Sequence, residues 1–357
     1  MNKKLFIYTI FTVAVVTIFL SRVKTGAATE AVALDTLELS EAVARAIERS
    51  SELKTLDESA YLNELNRVTL ETAKVESVHE TQYINSLVSL FQNELRQAIL
   101  TENIAMQKLI IEYSVTRYYG AAAAAERDLI LYDVGLGLSE KNFKIAEVRH
   151  KLGMISKNTF ETIKSNYEKE SANREMKLIA IENAFRALNG AIGSGPGARW
   201  ALLAEIEYEP LEEYNLAHYI PDCVKTNVAV INKENDLELA KYRRDVSNDP
   251  DAEEELDIGV TQAERALSDT KKTLGDKLTS CYEDIRSMET QYELGVKDYE
   301  DMLGQLKLKE TQYGLGKLTL LDVENYKYQM LQLEYRLKGR AYDHHVRKMQ
   351  FMNPDLL

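Results

Sequence analysis

Proline is scarce in this chain, and its placement is as informative as its scarcity. Only five of the 357 residues are proline, and all of them (Pro196, Pro210, Pro221, Pro250 and Pro354) lie beyond residue 195. Proline costs about 3 kcal/mol inside a helix, so the stretch without it is free to build very long helices. With two cysteines, neither a disulfide-stapled scaffold nor a four-cysteine zinc site is available. Basic residues are short too, 44 against 57 acidic, which argues against nucleic acid as a partner, because a nucleic-acid binder needs a basic face. There is no phosphate-binding loop, HExxH helix or nucleophile elbow. Gly193-Ser-Gly-Pro-Gly197 lacks the lysine and preceding strand of a phosphate site and reads as a linker. Five histidines (His79, His150, His218, His344, His345) are scattered. Adjacent His344 and His345 fall on different sides of a helix, whereas a helical chelate needs spacing such as i, i+4. No metal, cofactor or enzymatic activity is expected.

Residues 1–28 read as a secretory signal peptide. Lys3 and Lys4 precede the apolar run Leu5–Leu20, and Thr25-Gly-Ala-Ala28 offers a small-residue cleavage site. An uncleaved anchor is the alternative, since the run is only slightly short of the ~17–25 residues that span a bilayer. Removing 1–28 takes away four cations and no acid, which leaves 40 basic against 57 acidic residues, a net charge of −17. An extracytoplasmic location follows.

What remains is helical in period, and the fold class expected is all-α. Leu39, Val43, Ala46 and Ile47 form an apolar face after a Ser40 cap. Leu178, Ile181, Phe185 and Leu188 form a packed seam, and Tyr328, Tyr335 and Tyr342 repeat every seven residues after Leu321, as packing between helices does. Ala121–Ala125 reads as a close approach of two helices. Thr261–Tyr313 has no proline, and as one helix would run about 80 Å. Turns are few: Gly190–Gly197 is the clearest linker, and Asn248–Asp251 breaks the second half.

The chain is written twice. His150-Lys-Leu-Gly153-Met-Ile-Ser156 matches Tyr313-Gly-Leu-Gly316-Lys-Leu-Thr319 at an offset of 163, and Leu39, Val43 and Ile47 match Leu216, Ile220 and Val224 at an offset of 177. The organisation expected is a first helical repeat over 29–192, a Gly/Pro linker over 193–211, a second repeat over 212–353 and a tail over 354–357.

With these features the sequence resembles the TolC-like outer-membrane efflux proteins over about residues 37–351. The resemblance rests on the opening Leu37-Glu-Leu-Ser-Glu-Ala-Val-Ala-Arg-Ala-Ile47, with Ser50 and Asn227 near where the family favours Asn. It rests also on the turn Tyr313-Gly-Leu-Gly-Lys-Leu-Thr-Leu-Leu-Asp322-Val323 with its weaker copy at Gly153, and on the duplication itself. It implies duplicated long antiparallel hairpins, four helices per chain, that form a hollow α-helical cylinder as a homotrimer. It implies further an inner-membrane transporter and its adaptor as partners. Gly153, Met154, Ser156, Gly316, Leu318 and Thr319 would be adaptor-docking tips, and Tyr313, Asp322 and Thr159 the gate.

Two departures from the family stand out. Members insert two β-strands per repeat to build an outer-membrane barrel, but Arg244–Glu255 is acidic without apolar alternation. The stretch Leu62–Leu100 reads as helix, with Tyr83, Leu87, Leu90 and Phe91 on one face. Little or no β-structure is expected. At the gate, members carry an acid six residues after each tip glycine; here Asp322 has Thr159 as its counterpart, and a common basic residue is replaced by Leu318. The resemblance then implies a duct with weak or no cation selectivity. Cys223 and Cys281 lie symmetrically about residue 252, at one height in a hairpin. Helix axes lie about 8–10 Å apart, against the 4.4–6.8 Å between Cα atoms in a disulfide, so a bond and two free buried thiols both stand. The alternative to a duct is a scaffold or spacer of the cell envelope that transports nothing. An adaptor would need β-rich flanking modules that are not visible.

Overall fold

The computed structural model describes residues 35–203 and 206–357; the expected signal segment lies outside them. Eight helices carry the described chain: α1 (Leu39–Arg49), α2 (Ser51–Val75), α3 (Glu80–Lys151), α4 (Lys157–Ile192), α5 (Leu216–Thr226), α6 (Val228–Val246), α7 (Glu253–Gly314) and α8 (Leu320–Met352). A strand pair, β1 (Asp35–Leu37) and β2 (Trp200–Leu202), completes it with short 3-10 turns at Pro250–Ala252 and Pro354–Leu356. α3 has 72 residues and α7 has 62, about 108 and 93 Å at 1.5 Å per residue. The proline-free sequence permits both. α3 starts on Glu80 and ends on Arg149, His150 and Lys151, charges of the right sign for each end of its dipole.

The two repeats superpose in sequence register. α1 and α5 are both 11 residues and begin 177 apart, at Leu39 and Leu216. Each is followed at once by a capping residue for the next helix: Ser50 Oγ accepts from Leu53 N at 3.2 Å, and Asn227 Oδ1 accepts from Val230 N at 3.2 Å. Each first long hairpin helix packs on the element before and after it, α3 on α2 and α4, α7 on α6 and α8. Val115 and Leu278, Ala122 and Ile285, and Leu188 and Phe351 are buried pairs at the offset of 163. At the same offset two tyrosines, Tyr119 buried and Tyr282 half-buried, tie the helices to the segments before α1 and α5. Tyr119 donates to Leu37 O at 2.8 Å, and Tyr282 accepts from Tyr214 N at 3.5 Å.

Two expectations are corrected in detail, and the alternative left open at the cysteines is decided. Ser40 does not cap α1; the N-cap is Glu38, without a side-chain bond, and Ser40 is the second residue of the helix. Leu62–Leu100 is not one helix. It breaks at residues 76–79, and a reciprocal pair of buried amides joins the arms: Asn63 Nδ2 donates to Asn93 O at 3.0 Å, and Asn93 Nδ2 donates to Asn63 O at 3.0 Å. No disulfide forms: Cys223 and Cys281 are free thiols buried in one apolar cluster with Leu278, Ile285 and Phe351. Burial raises both thiols above their ordinary range, and Cys281 Sγ is directed at Arg347 O, 3.7 Å away on α8.

α4 closes on Gly193, whose φ of 65° is left-handed. The segment that follows carries β2 and then reaches Leu211, which is buried and held by a polar clamp. Glu289 Oε1 accepts from Leu211 N at 2.6 Å and from His344 Nε2 at 3.2 Å. Arg286 donates to Glu289 Oε2 at 2.6 Å and to the carbonyls of Leu211 and Glu212. Tyr208 stacks on Tyr292, ring centroids 3.8 Å apart, and tilts against His344. Among the described residues the reversals at 76–79 and 247–252 contain no strand, and no helix is long and apolar enough to cross a membrane.

Candidate tip and gate site

The strongest shared feature of the repeats is the reversal that ends α3 and α7. In the first, Gly153 adopts φ 70° and its N–H donates to His150 O, while Met154 N reaches back to Arg149 O at 2.8 Å. In the second, Gly316 adopts φ 71°, its N–H donates to Tyr313 O, and Lys317 N reaches Gln312 O at 2.9 Å. These are the crossed bonds that satisfy the last carbonyls of a helix, and they require a left-handed residue. Nothing lies within 4 Å of a Cβ built on either glycine, so the requirement is one of backbone alone.

Three residues later each returning helix is capped. Ser156 Oγ accepts from Thr159 N at 3.1 Å and pairs with Thr159 Oγ1 at 2.8 Å. Thr319 Oγ1 accepts from Asp322 N at 3.2 Å, while Asp322 Oδ2 accepts from Thr319 N at 2.8 Å and from Thr319 Oγ1 at 2.6 Å. That is a complete capping box. The hydroxyl and then the backbone N–H of Thr319 hold the Asp322 carboxyl below its usual range. Thr159 and Asp322, expected at a gate, are therefore both engaged in starting their own helices.

The tips offer large apolar side chains to solvent among their polar ones. Leu152 and Leu315, equivalent residues just before the two glycines, are 68% and 67% exposed. Met154, Leu320 and Tyr313 are exposed as well, whereas Leu318 is only half-buried, like its counterpart Ile155. Sequence reasoning overlooked Leu152 and Leu315. Their signal was the repeated Leu-Gly pair, since a side chain preceding a left-handed turn points away from the hairpin. Behind the first tip the rings of His150, Phe160, Phe143 and Tyr167 stack in succession at 4.9, 6.0 and 5.3 Å. The hairpins are joined above the tips by Lys141 Nζ, 2.6 and 2.7 Å from the two carboxyl oxygens of Glu324.

Solved structures share this fold. The chain is similar to a membrane protein from Pseudomonas aeruginosa, at 11% identity over 90% of each chain with a TM-score of 0.67. It is similar to the outer membrane protein VceC of Vibrio cholerae, at 10% identity over 89% of this chain and 97% of that one, with a TM-score of 0.65. The Campylobacter jejuni CmeC outer membrane channel matches at 10% identity over 89% and 85%, with a TM-score of 0.61.

The chain has a TolC-like fold.

No protein-family model matches the sequence, and no curated protein is similar to it in sequence. The TolC-like fold thus persists here on helix length, turn chemistry and duplication at very low identity. It is an all-α version: among the described residues the only strands are β1 and β2, in the belt beside α1 and α4.

Proposed function

We propose that this chain is the subunit of a TolC-like efflux or secretion duct of the cell envelope, a homotrimer that works with an inner-membrane transporter and its adaptor and carries out no catalysis. The fold supports this reading: of the chains it matches over 85–97% of their length, one is named an outer membrane channel and another an outer membrane protein. The exposed leucines of the two reversals, with Met154, support the tips as the adaptor-docking surface, in which Gly153, Ser156, Gly316, Leu318 and Thr319 set the shape. Tyr313, exposed at the second tip, is the gate residue best placed to meet its copies around an axis. Asp322 and Thr159 act on a gate through the helix starts that they form with the caps Thr319 and Ser156. The proposed route for the chain is secretion by residues 1–28, with the first repeat over 29–192, the linker over 193–211 and the second repeat over 212–353.

Strand-free reversals at 76–79 and 247–252 favour one variation: a helical spacer or scaffold of the envelope built from the same hairpins, with no transport. Light scattering on residues 29–357 across a concentration series in mild detergent separates the two. The duct reading expects a mass of three chains, followed by single-channel conductance in a planar bilayer. A persistent monomer or dimer removes the duct and leaves the spacer.

A further inference from the structure

The two ends of the molecule carry opposite charge. The reversals at 76–79 and 247–252 lie together, since Asn248 Nδ2 donates to Glu80 Oε1 at 2.7 Å. Residues 76–80 and 247–257 there hold eight carboxylates and no lysine or arginine. The glycine tips stand at the far end of α3, about 108 Å away at 1.5 Å per residue. Residues 149–159 contain Arg149, Lys151 and Lys157 and no acid. Residues 311–322 contain Lys317 with Asp322, whose carboxylate is occupied in its capping box. In a chain with 57 acidic against 44 basic residues, the tips are a local excess of positive charge.

All four cations are exposed. Lys151 has a carboxylate beside it, Glu147 at 2.9 Å, while among the described residues Arg149, Lys157 and Lys317 make no ion pair. Each cation lies within three residues of a large apolar side chain that the turns leave in solvent. Leu152, Met154 and Leu315 are 67–68% exposed. No other part of the chain comes within 4 Å of a Cβ built on Gly153 or Gly316, so the tips are projections and not the walls of a pocket. Projecting leucines flanked by cations are what a lipid interface accepts. Acyl chains take up leucine and methionine without a shaped hollow, while the long stems of lysine and arginine keep their charges among headgroup phosphates.

We infer that the tips bind an anionic lipid surface, with Leu152, Met154 and Leu315 entering the headgroup layer among the charges of Arg149, Lys151, Lys157 and Lys317. Lipid binding goes beyond the duct reading, which gives the tips to an adaptor, and needs no trimer. Each cation near an anionic bilayer strengthens binding about fivefold, and the attraction fades over about 10 Å at 0.1 M salt. The carboxylates of the far end are therefore too distant to offset it. They also set the orientation, because the same surface repels them: the long axis stands on its tips and holds the acidic end away from the bilayer.

The test is flotation of residues 29–357, which hold every described residue and lack the apolar run Leu5–Leu20. The vesicles are phosphatidylcholine alone, or phosphatidylcholine with about a third replaced by phosphatidylglycerol. Circular dichroism reports that the helices of each variant are intact. The chain should float with the phosphatidylglycerol vesicles only, and about 1 M salt should release it. Arg149→Gln/Lys157→Gln/Lys317→Gln should bind about a hundredfold more weakly. Leu152→Ser/Leu315→Ser should also bind more weakly, at unchanged charge. Glu253→Gln/Glu254→Gln/Glu255→Gln, at the acidic end, should bind as the parent does. Equal binding to the two vesicles overturns lipid recognition by charge. So does a triple cation variant that binds like the parent. A helical chain that ignores both vesicles overturns it as well and leaves the tips to a protein partner. The mass by light scattering is measured without lipid vesicles, so three chains there uphold the duct reading whatever the flotation gives.

Discussion

Glu289 shows how one buried carboxylate can organise a connection between repeats. Burial pushes its pKa up, but the N–H of Leu211, the Arg286 guanidinium and His344 outweigh that and leave it below the usual range. Its contribution to stability is thus present above the ordinary carboxylate pKa and lost as pH falls through the lowered value. Replacing it with alanine leaves Leu211 N without its acceptor and Arg286 without its counter-ion. Glu289→Ala should cost about 2–3 kcal/mol in urea unfolding, with Glu289→Gln milder. His344 is held below the imidazole range by burial, against the pull of Glu289, and His345 is lowered by burial and then by Lys348 and His344. The unfolded chain therefore binds more protons than the folded one as each histidine titrates, and stability rises with pH there. Acidification from about pH 7 to about pH 5 should lower Tm. His344→Gln should flatten that slope in part, His345 supplying the remainder. Nothing in the sequence marked this clamp, because its members come from positions 211, 286, 289 and 344 and only the fold brings them together.

The elements themselves were far more legible than their joins. Period and proline placement announced the long helices, and the two offsets aligned the repeats to the residue. The break at 76–79 was hidden because Asn63 and Asn93, the polar pair that joins its arms, look like surface residues in a helical pattern. At the tips, the repeated glycines and Ser156 and Thr319 were readable because turn and cap chemistry is local. Two substitutions measure that chemistry. Gly316→Ala forces a side chain into a left-handed backbone and should cost about 1 kcal/mol, although no neighbour would be touched. Thr319→Ala removes the acceptor for Asp322 N and should cost about 1 kcal/mol. Gly120 is the opposite case. Gly120→Ala meets the Tyr342 ring and should cost about 1–3 kcal/mol by displacing it from Thr116 O. The alanine run at 121–125 reads as a close approach of two helices, and Ala122 is fully buried in the cluster with Leu37, Ile181 and Phe185, away from α8. The tightest approach to α8 is at Gly120, the first residue of that small-residue run.

For the described chain as a whole, duplication is what fixes the arrangement, and it also separates the parts that are shared from those that are private to one repeat. The paired reversals and the paired tyrosines Tyr119 and Tyr282 belong to both. The amide pair of Asn63 and Asn93, the clamp on Leu211 and the ion pair of Lys141 with Glu324 each occur once; at the offset of 163 the last maps onto Gly304 and Glu161, which carry no pair of opposite charges. Reversing the charge with Lys141→Glu should loosen the internal junction of the hairpins, read as faster hydrogen exchange in the tip half of α3 and α8, with the rest of α3 unchanged. The reversals also have a practical consequence. Each satisfies its own backbone, places its glycine in open space and starts the next helix with its own cap, so the backbone of neither depends on what surrounds it, although His150 of the first also stacks on Phe160 beyond it. They are interchangeable parts. A chain in which residues 148–159 and 311–322 trade places should melt where the parent does, while it presents to any docking partner two leucine tips in exchanged positions.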